Sequence, residues 1–278
     1  MTDIWTIIIL VAAIITLASV WIYYFRRVQK FQKEMSERDS YQRVPIDDHQ
    51  QQKNFELVNP KFGQSHEFTL FWLHGLGDIP SSWKEGTNSF NLERTKIILP
   101  AAPIIPVTLN GGMQMPAWFD IIGLSLGTTE DKVGIRAACE QLASMIEKEI
   151  KEHNIHPKNI AVGGFSQGGA VALHTCLVKG YLKHKIGAVV GLSCWLPLGS
   201  TLMDANGSDL QLSKLNRETS LFMGHGINDP LVRLDYGELT FKMLKRKDSE
   251  FKQYRMNHET CTSELRDVSA FLKRVFKM

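Results

Sequence analysis

Gly164-Phe165-Ser166-Gln167-Gly168 is the stretch around which this chain is organised. The apolar residues 159–163 before it predict a short buried strand, and the small and apolar residues 169–177 after it predict a packed helix. A serine on a sharp turn between a strand and a helix, with glycines on both sides, is typical of a nucleophile elbow. The helix N-terminus would then stabilise an oxyanion that develops beside the serine. The alternative is an ordinary glycine-serine turn.

The predicted nucleophile needs a histidine as its base and a carboxylate that orients the histidine. On an elbow of this kind the acid and then the base follow the serine along the chain, each on a loop after a strand. An apolar strand breaks into a glycine-rich turn that carries Asp229, and an alternating strand further on ends in a loop that carries His258. Ser166, Asp229 and His258 are therefore the predicted catalytic residues.

Three other polar residues near these loops receive different interpretations. His225 precedes Asp229, so it has the wrong order for the base and is interpreted as a residue that shapes the loop. Asp235 and Asp267 fall in helical patterns, where a carboxylate is usually solvated.

An oxyanion hole needs a second N–H group, from the loop after an early strand. The apolar strand 68–73 runs directly into His74-Gly75-Leu76-Gly77-Asp78. The glycines let this loop approach the serine, which predicts that the backbone N–H groups of Leu76 and Gln167 bind the oxyanion. An ordinary glycine-rich turn is the alternative.

The chain resembles the acyl-protein thioesterase and lysophospholipase group of α/β-hydrolases. The stretches that carry the resemblance lie in family order between about residues 65 and 275. They are residues 74–78, 107–110, 115–121, 163–169 and 192–197, His225-Gly226 with Asp229-Pro230, and His258 with Cys261. The resemblance implies an α/β-hydrolase fold with a mostly parallel doubly wound sheet, and it carries the family's catalytic serine, aspartate and histidine onto Ser166, Asp229 and His258.

The chain departs from the family pattern at Ile79-Pro80, Ile227-Asn228 and Met256-Asn257. These departures leave the three predicted catalytic residues in place and bear on the shape of the acyl site. Apolar residues that adjoin the predicted catalytic loops are the candidates for an acyl channel: Leu76, Ile121, Leu124, Trp195 and Leu231.

The remaining segments predict alternating helices and strands. Residues 101–127 contain prolines and glycines and predict a loop or hairpin over the site, and residues 130–150 predict an amphipathic helix. The continuous apolar run 186–192 predicts a strand buried on both faces, and residues 234–244 and 263–276 predict closing helices. This alternation is typical of a doubly wound α/β sheet with its site at the carboxyl ends of the strands.

The composition is ordinary for a globular enzyme, with 44% hydrophobic and 22% charged residues and a formal net charge of +3. No phosphate loop, metal-spaced cluster of His and Cys, or internal repeat is recognisable. We therefore predict no cofactor, no metal and no nucleic-acid partner.

The N-terminal region has a different character. Residues 4–25 form an uncharged run with aromatic residues at both ends, which predicts a transmembrane anchor. A cleaved signal peptide is the alternative, although the run lacks a basic start and is longer than expected. The predicted domains are a flank at 1–3, the anchor at 4–25, a polar linker at 26–54 and a catalytic domain at 55–278.

The predicted orientation follows from the charges beside the anchor. Arg26, Arg27, Lys30 and Lys33 all follow the run, and positive charge stays cytoplasmic. The four cysteines show no framework of a secreted scaffold, and the sequon at Asn206 would be used only in a luminal domain. The expected localisation is a single-pass membrane protein whose catalytic domain faces the cytoplasm.

Two classes of function are open at this point. The first is a membrane-tethered serine hydrolase of long-chain acyl thioesters, with S-acylated protein cysteines as substrates by resemblance. A lysophospholipase or broad carboxylesterase acting on lysolipids or other oxyesters is the alternative enzyme, since it needs the same catalytic groups. The second class is a membrane scaffold that has lost catalysis.

Overall fold

A seven-stranded sheet is the centre of the part of the chain that this computed structural model describes, residues 55–60, 63–125, 127–202, 211–244 and 246–278. The strands are β1 (Phe55–Val58), β2 (Phe68–Leu73), β3 (Thr95–Pro100), β4 (Ile104–Val107), β5 (Met113–Pro116), β6 (Ile160–Phe165), β7 (Ala188–Leu192), β8 (Ser220–Gly226) and β9 (Ser249–Tyr254). The α-helices are α1 (Lys84–Asn88), α2 (Lys132–His153), α3 (Gln167–Leu177), α4 (Leu234–Leu244) and α5 (Thr262–Phe276).

The strand order in the main sheet is β1-β3-β2-β6-β7-β8-β9. Only the edge pair β1–β3 is antiparallel; the other described neighbours in this sheet run parallel. Strands β4 and β5 form a separate antiparallel hairpin within the predicted cover segment 101–127. Parallel strands need crossovers, and α-helices lie in the connections that lead to β3, β6, β7 and β9, as the alternating sequence pattern predicts.

Side chains of the buried strands alternate between two apolar clusters, one on each face of the sheet. In β2, Phe71 and Leu73 belong to one cluster, whereas Leu70 and Trp72 belong to the other. This follows from the two-residue period of a strand. A strand covered on both faces is apolar along most of its length, and the polar residue of β2, Thr69, donates its hydroxyl to Glu149 at 2.9 Å.

Helices cover both faces of the sheet. The apolar sides of α2 and α3 contribute to the cluster that contains Phe71, and the apolar side of α5 contributes to the cluster that contains Trp72. The prediction of an α/β-hydrolase fold with a mostly parallel sheet is therefore confirmed.

Local chemistry explains where the elements begin and end. The predicted helix 130–150 begins at Lys132 because the Asp131 side chain caps it by accepting the N–H of Gly134, 2.9 Å away. It ends after His153, where Asn154 turns into the left-handed region with φ 53°. The predicted strand 159–163 extends to Phe165, which pairs with Leu192 of β7.

The prediction of membrane attachment requires correction. Within the described residues, no helix has both the length and the apolar character needed to cross a bilayer. The longest described helix, α2, carries Lys and Glu side chains along its exposed side. The predicted single-pass membrane localisation with a catalytic domain facing the cytoplasm, and the predicted membrane contact through an N-terminal helix, are overturned by this finding. Residues 1–54, on which the anchor at 4–25 and the linker were predicted, and the Asn206 sequon lie outside the described residues.

Candidate active site

The carboxyl ends of four parallel strands meet at one edge of the sheet. Strand β2 leads into the loop of Leu76, β6 into Ser166, β8 into the turn of Asp229 and β9 into the loop of His258. Because parallel strands all end at the same edge, segments far apart in sequence converge there.

Ser166 occupies a strained turn between β6 and α3, with φ 52° and ψ −120°. Its N–H donates to the carbonyl of Leu192 at 2.8 Å, which fixes the turn against β7. Only glycine fits on either side: a Cβ on Gly164 would lie 2.6 Å from the carbonyl carbon of Gly168, and one on Gly168 would collide with the carbonyl oxygen of Leu73. The spacing of the pentapeptide is therefore a packing requirement.

Ser166, His258 and Asp229 form one chain of hydrogen bonds. The Nε2 atom of His258 lies 2.9 Å from the Oγ of Ser166, and its Nδ1 lies 2.7 Å from Oδ2 of Asp229. Since a carboxylate only accepts, Nδ1 carries the proton and Nε2 is left to accept the hydroxyl proton. This is the geometry that a serine nucleophile and its base require.

Asp229 is buried and held by its own loop. Its Oδ1 accepts the N–H groups of Leu231 and Val232, each at 2.9 Å. His225 supports this loop by donating from Nε2 to the carbonyl of Val232 at 2.8 Å, and burial lowers the pKa of His225. Neutral His225 therefore stabilises the loop of Asp229. Its Nε2 lies 3.7 Å from Oδ2 of Asp229.

His258 is also positioned by apolar contacts. Its ring centroid lies 4.9 Å from that of Phe165, which in turn packs 5.7 Å from Trp83. Three residues after His258, the half-buried Cys261 is the N-cap residue of α5. The loop that carries His258 therefore ends at the first turn of this helix.

The loop after β2 is fixed by a buried histidine. The Nε2 of His74 accepts the N–H of Ala102 at 3.1 Å, and its Nδ1 donates to the carbonyl of Gly75 at 2.8 Å. Burial lowers the pKa of His74, which favours this neutral form. Trp118 donates its indole N–H to the carbonyl of His74 at 2.9 Å. The turn that carries Leu76, the predicted oxyanion residue, is therefore rigidly held.

The Gln167 side chain was missed by sequence reasoning, which assigned a role only to its backbone N–H. Its Oε1 accepts the N–H of Trp118 at 2.9 Å, and its Nε2 donates to the carbonyl of Phe119 at 2.7 Å. The side chain is fully buried. The residue after Ser166 thus fastens the cover segment to the elbow.

The five predicted acyl-binding residues are divided between two places. Ile121 is a buried member of the apolar cluster on the α2–α3 side, and Leu76, Leu124 and Trp195 pack against that cluster. Leu231 is half-buried in the loop of Asp229. Four of the five therefore belong to or pack against one apolar cluster.

The other carboxylates have different partners. Asp235 pairs with the exposed Arg233 at 2.7 Å, and Asp267 accepts the hydroxyl of Tyr254 at 2.8 Å. The geometry therefore gives His258 the partner that chain order predicts, Asp229.

The arrangement as a whole is suited to acyl transfer to water. A serine hydroxyl lies within hydrogen-bond distance of an imidazole, a buried carboxylate fixes that imidazole, and a helix begins directly behind the serine. Such groups generate an alkoxide-like nucleophile and stabilise the tetrahedral oxyanion it forms.

Comparisons with known proteins agree with this chemistry. A family model described as Phospholipase/Carboxylesterase matches residues 53–276. The chain is 37% identical over 238 residues to acyl-protein thioesterase 1 of Mycosarcoma maydis, covering 79% of this chain and 95% of the relative.

Solved structures show the same likeness. Acyl-protein thioesterase 2 of Zea mays superposes with a TM-score of 0.69 at 30% identity, covering 80% of this chain and 98% of the maize protein. SOBER1 of Arabidopsis thaliana superposes with a TM-score of 0.68 at 28% identity, covering 75% of this chain and 99% of the plant protein.

Proposed function

Because this chain belongs to the phospholipase/carboxylesterase family and is a serine hydrolase of the thioesterase type, we propose that it removes long-chain acyl groups from S-acylated protein cysteines. Ser166, His258 and Asp229 are the proposed triad, and the N–H groups of Leu76 and Gln167 are the proposed oxyanion hole. Residues 55–278 are the proposed catalytic domain.

The proposed reaction has two halves. The Oγ of Ser166 attacks the thioester carbonyl carbon while Nε2 of His258 takes the hydroxyl proton. The tetrahedral intermediate collapses, the C–S bond breaks, and the imidazolium returns the proton to the leaving cysteine thiolate. Water then attacks the acyl-enzyme with His258 again as base, which releases the fatty acid and restores Ser166.

One observation carries this proposal: the continuous hydrogen-bonded chain from Ser166 through His258 to the buried Asp229. Each link has the donor and acceptor roles that the first step needs. The preference for an acyl protein is supported by the acyl-protein thioesterases among the relatives, at 37% and 30% identity. Ile121 belongs to one apolar cluster and Leu124 and Trp195 pack against it, and apolar side chains are what an aliphatic chain would contact.

The same groups would also cleave an oxyester, as in a lysophospholipase or carboxylesterase. The family description names both phospholipases and carboxylesterases, which favours this second candidate. The two candidates differ in the leaving group, a thiol or an alcohol, and in the molecule that carries the acyl chain.

Labelling and turnover test the proposal together. A fluorophosphonate probe should label the wild type and a Ser144→Ala control, whose serine is exposed on α2, but not Ser166→Ala. The wild type should hydrolyse a palmitoylated peptide faster than a lysolipid. Labelling that persists in Ser166→Ala would contradict the proposed nucleophile, and faster lysolipid turnover would favour the second candidate.

A further inference from the structure

A series of contacts links Gln167, next to Ser166, to the carboxylate of Glu130. The Gln167 side chain holds the backbone of Trp118 and Phe119, as described above. The Phe119 ring meets the Trp195 ring edge to face, with centroids 6.3 Å apart and planes at 77°. Trp195 therefore packs against a residue whose backbone is held by the side chain that follows Ser166.

Glu130 binds both ends of the segment that carries this tryptophan. Its Oε1 lies 3.5 Å from the indole Nε1 of Trp195, and its Oε2 accepts the N–H of Leu198 at 2.8 Å. Leu198 has φ 58° and precedes a short 3-10 helix without a side-chain cap of its own. The carboxylate thus accepts the N–H group at the start of this 3-10 helix.

The surroundings of Glu130 indicate that its carboxyl group serves as a hydrogen-bond acceptor. The residue is half-buried, and burial raises its pKa, while the hydrogen bonds from Leu198 and Trp195 and the nearby charge of Lys132 oppose that shift. Placing a carboxylate in a partly apolar site costs free energy unless its oxygens accept hydrogen bonds. Both oxygens are used here, on two different donors.

The segment 195–198 has two further anchors, and they act on its backbone. Thr240 of α4 accepts the N–H of Leu196 at 3.0 Å, and His174 of α3 donates to the carbonyl of Pro197 at 3.0 Å. Among these three partners, only Glu130 binds the side chain of Trp195. Among these partners, Glu130 alone therefore orients the polar edge of the ring, whereas the backbone position is shared.

We propose that Glu130 is a positioning residue for acyl specificity: it holds the Trp195 ring against Phe119, so that the two rings form one wall of the acyl channel. The channel itself rests on the proposed function. Glu130 makes no contact with the reacting atoms in this arrangement. Its loss should leave the elbow intact and loosen the part of the wall that only a long chain reaches.

The test uses alkyl fluorophosphonates of increasing chain length, with the rate of covalent labelling of the full-length protein as readout. In the wild type, the dodecyl probe should label faster than the ethyl probe. Glu130→Ala should lower the dodecyl rate by about tenfold and leave the ethyl rate unchanged, since two hydrogen bonds that hold segment 195–198 are lost. Glu130→Gln should fall between, because its amide oxygen satisfies one donor only.

Matched variants separate this role from a general loss of structure. Glu140→Ala removes an exposed carboxylate from α2 and should behave as wild type with both probes. Trp195→Phe keeps a ring but removes the indole N–H; it should also lower the dodecyl rate, and combining it with Glu130→Ala should add little. Equal losses with both probes, or an unchanged dodecyl rate in Glu130→Ala, would overturn the proposal.

The labelling assay also separates this inference from the proposed function. One outcome is a wild type that the longer probe labels faster but that fails to hydrolyse a palmitoylated peptide. That result would contradict the thioesterase proposal, and the Glu130 variants would still test whether Glu130 positions the Trp195 ring. Equal labelling of the wild type by the ethyl and dodecyl probes would contradict the proposal that Trp195 and Phe119 line an acyl channel.

Discussion

The carboxyl group of Glu264 packs directly against the Cα of Gly224, in the space that a side-chain methyl group would fill at any other residue. Glu264 is fully buried, and within the described residues neither of its oxygens has a hydrogen-bond partner. Burial raises its pKa to about 9, and the neighbouring Cys261 and Asp267 add to the shift. The group is therefore a neutral acid near pH 7, in the first turn of the helix that follows His258.

Replacing Glu264 with Gln should flatten the pH dependence of stability. Glutamate in the unfolded chain ionises near its ordinary value of 4.5, whereas the folded protein keeps the proton up to about 9. Between these values the folded state binds one more proton, so the contribution of Glu264 to stability is complete below the lower value and is lost as the pH rises. The free energy of unfolding should fall by up to about 1.4 kcal/mol per pH unit from this group.

Urea unfolding at several pH values across that window measures this effect. Glutamine has no proton to lose, so the difference between wild type and Glu264→Gln should grow with pH. The exposed Glu140→Gln provides the control and should follow the wild type. Parallel pH profiles for wild type and Glu264→Gln would argue against a neutral buried acid.

Asp229→Asn should lower thioester turnover by about 10⁴-fold, because an amide nitrogen facing Nδ1 of His258 would favour the wrong tautomer. Asp235→Asn should remain near wild type, since Asp235 is exposed and pairs with Arg233. Steady-state kinetics with a small thioester compare the two variants. The assignment of the acid fails if Asp235→Asn is the impaired protein.

Gly168→Ala should destabilise the protein by about 1–3 kcal/mol and abolish most activity, since the new methyl group would collide with backbone oxygens of Leu73 and His74. Gly86→Ala is the matched control: it lies in α1, and its nearest neighbour would be 3.7 Å away. That change should be neutral or stabilise by up to about 1 kcal/mol. Thermal unfolding measures both, and equal midpoints would contradict the crowding argument.

His74→Ala should lower kcat by about 10–100-fold with little change in KM, because misplacing the proposed oxyanion loop weakens transition-state binding. The N–H of Ala102 would also lose its acceptor. His156→Ala, at an exposed histidine before a short 3-10 helix, is the control. A rise in KM at unchanged kcat would indicate a role in substrate binding instead.

Chain order and strand endings were enough to predict which side chains meet. Ser166, Asp229 and His258 each follow an apolar strand, and parallel strands bring their carboxyl ends to one edge. The elbow was predictable because its requirement is local: a strand, a tight turn and a helix within a few residues. Boundaries shifted by a few residues where caps such as Asp131 decide them.

The contacts of Gln167, Glu130 and Glu264 were not predictable in the same way. The contacts of Gln167 depend on the path of the cover segment and those of Glu130 on the path of segment 195–198, and neither segment has a periodicity that indicates its neighbours. Glu264 lies in an amphipathic helix, where a glutamate would be expected on the solvated side. Its burial depends on the empty side of Gly224, a residue forty positions away.

The four thiols of this chain differ sharply in accessibility. Cys139, Cys176 and Cys194 are buried, and burial raises the pKa of each, that of Cys139 to about 12. Cys261 is half-buried and lies beside Ser263, three residues from His258. An alkylating fluorophore should therefore attach at Cys261 first, without any engineered cysteine. The unaltered sequence thus offers an optical reporter on the histidine loop, through which substrate arrival could be followed in real time.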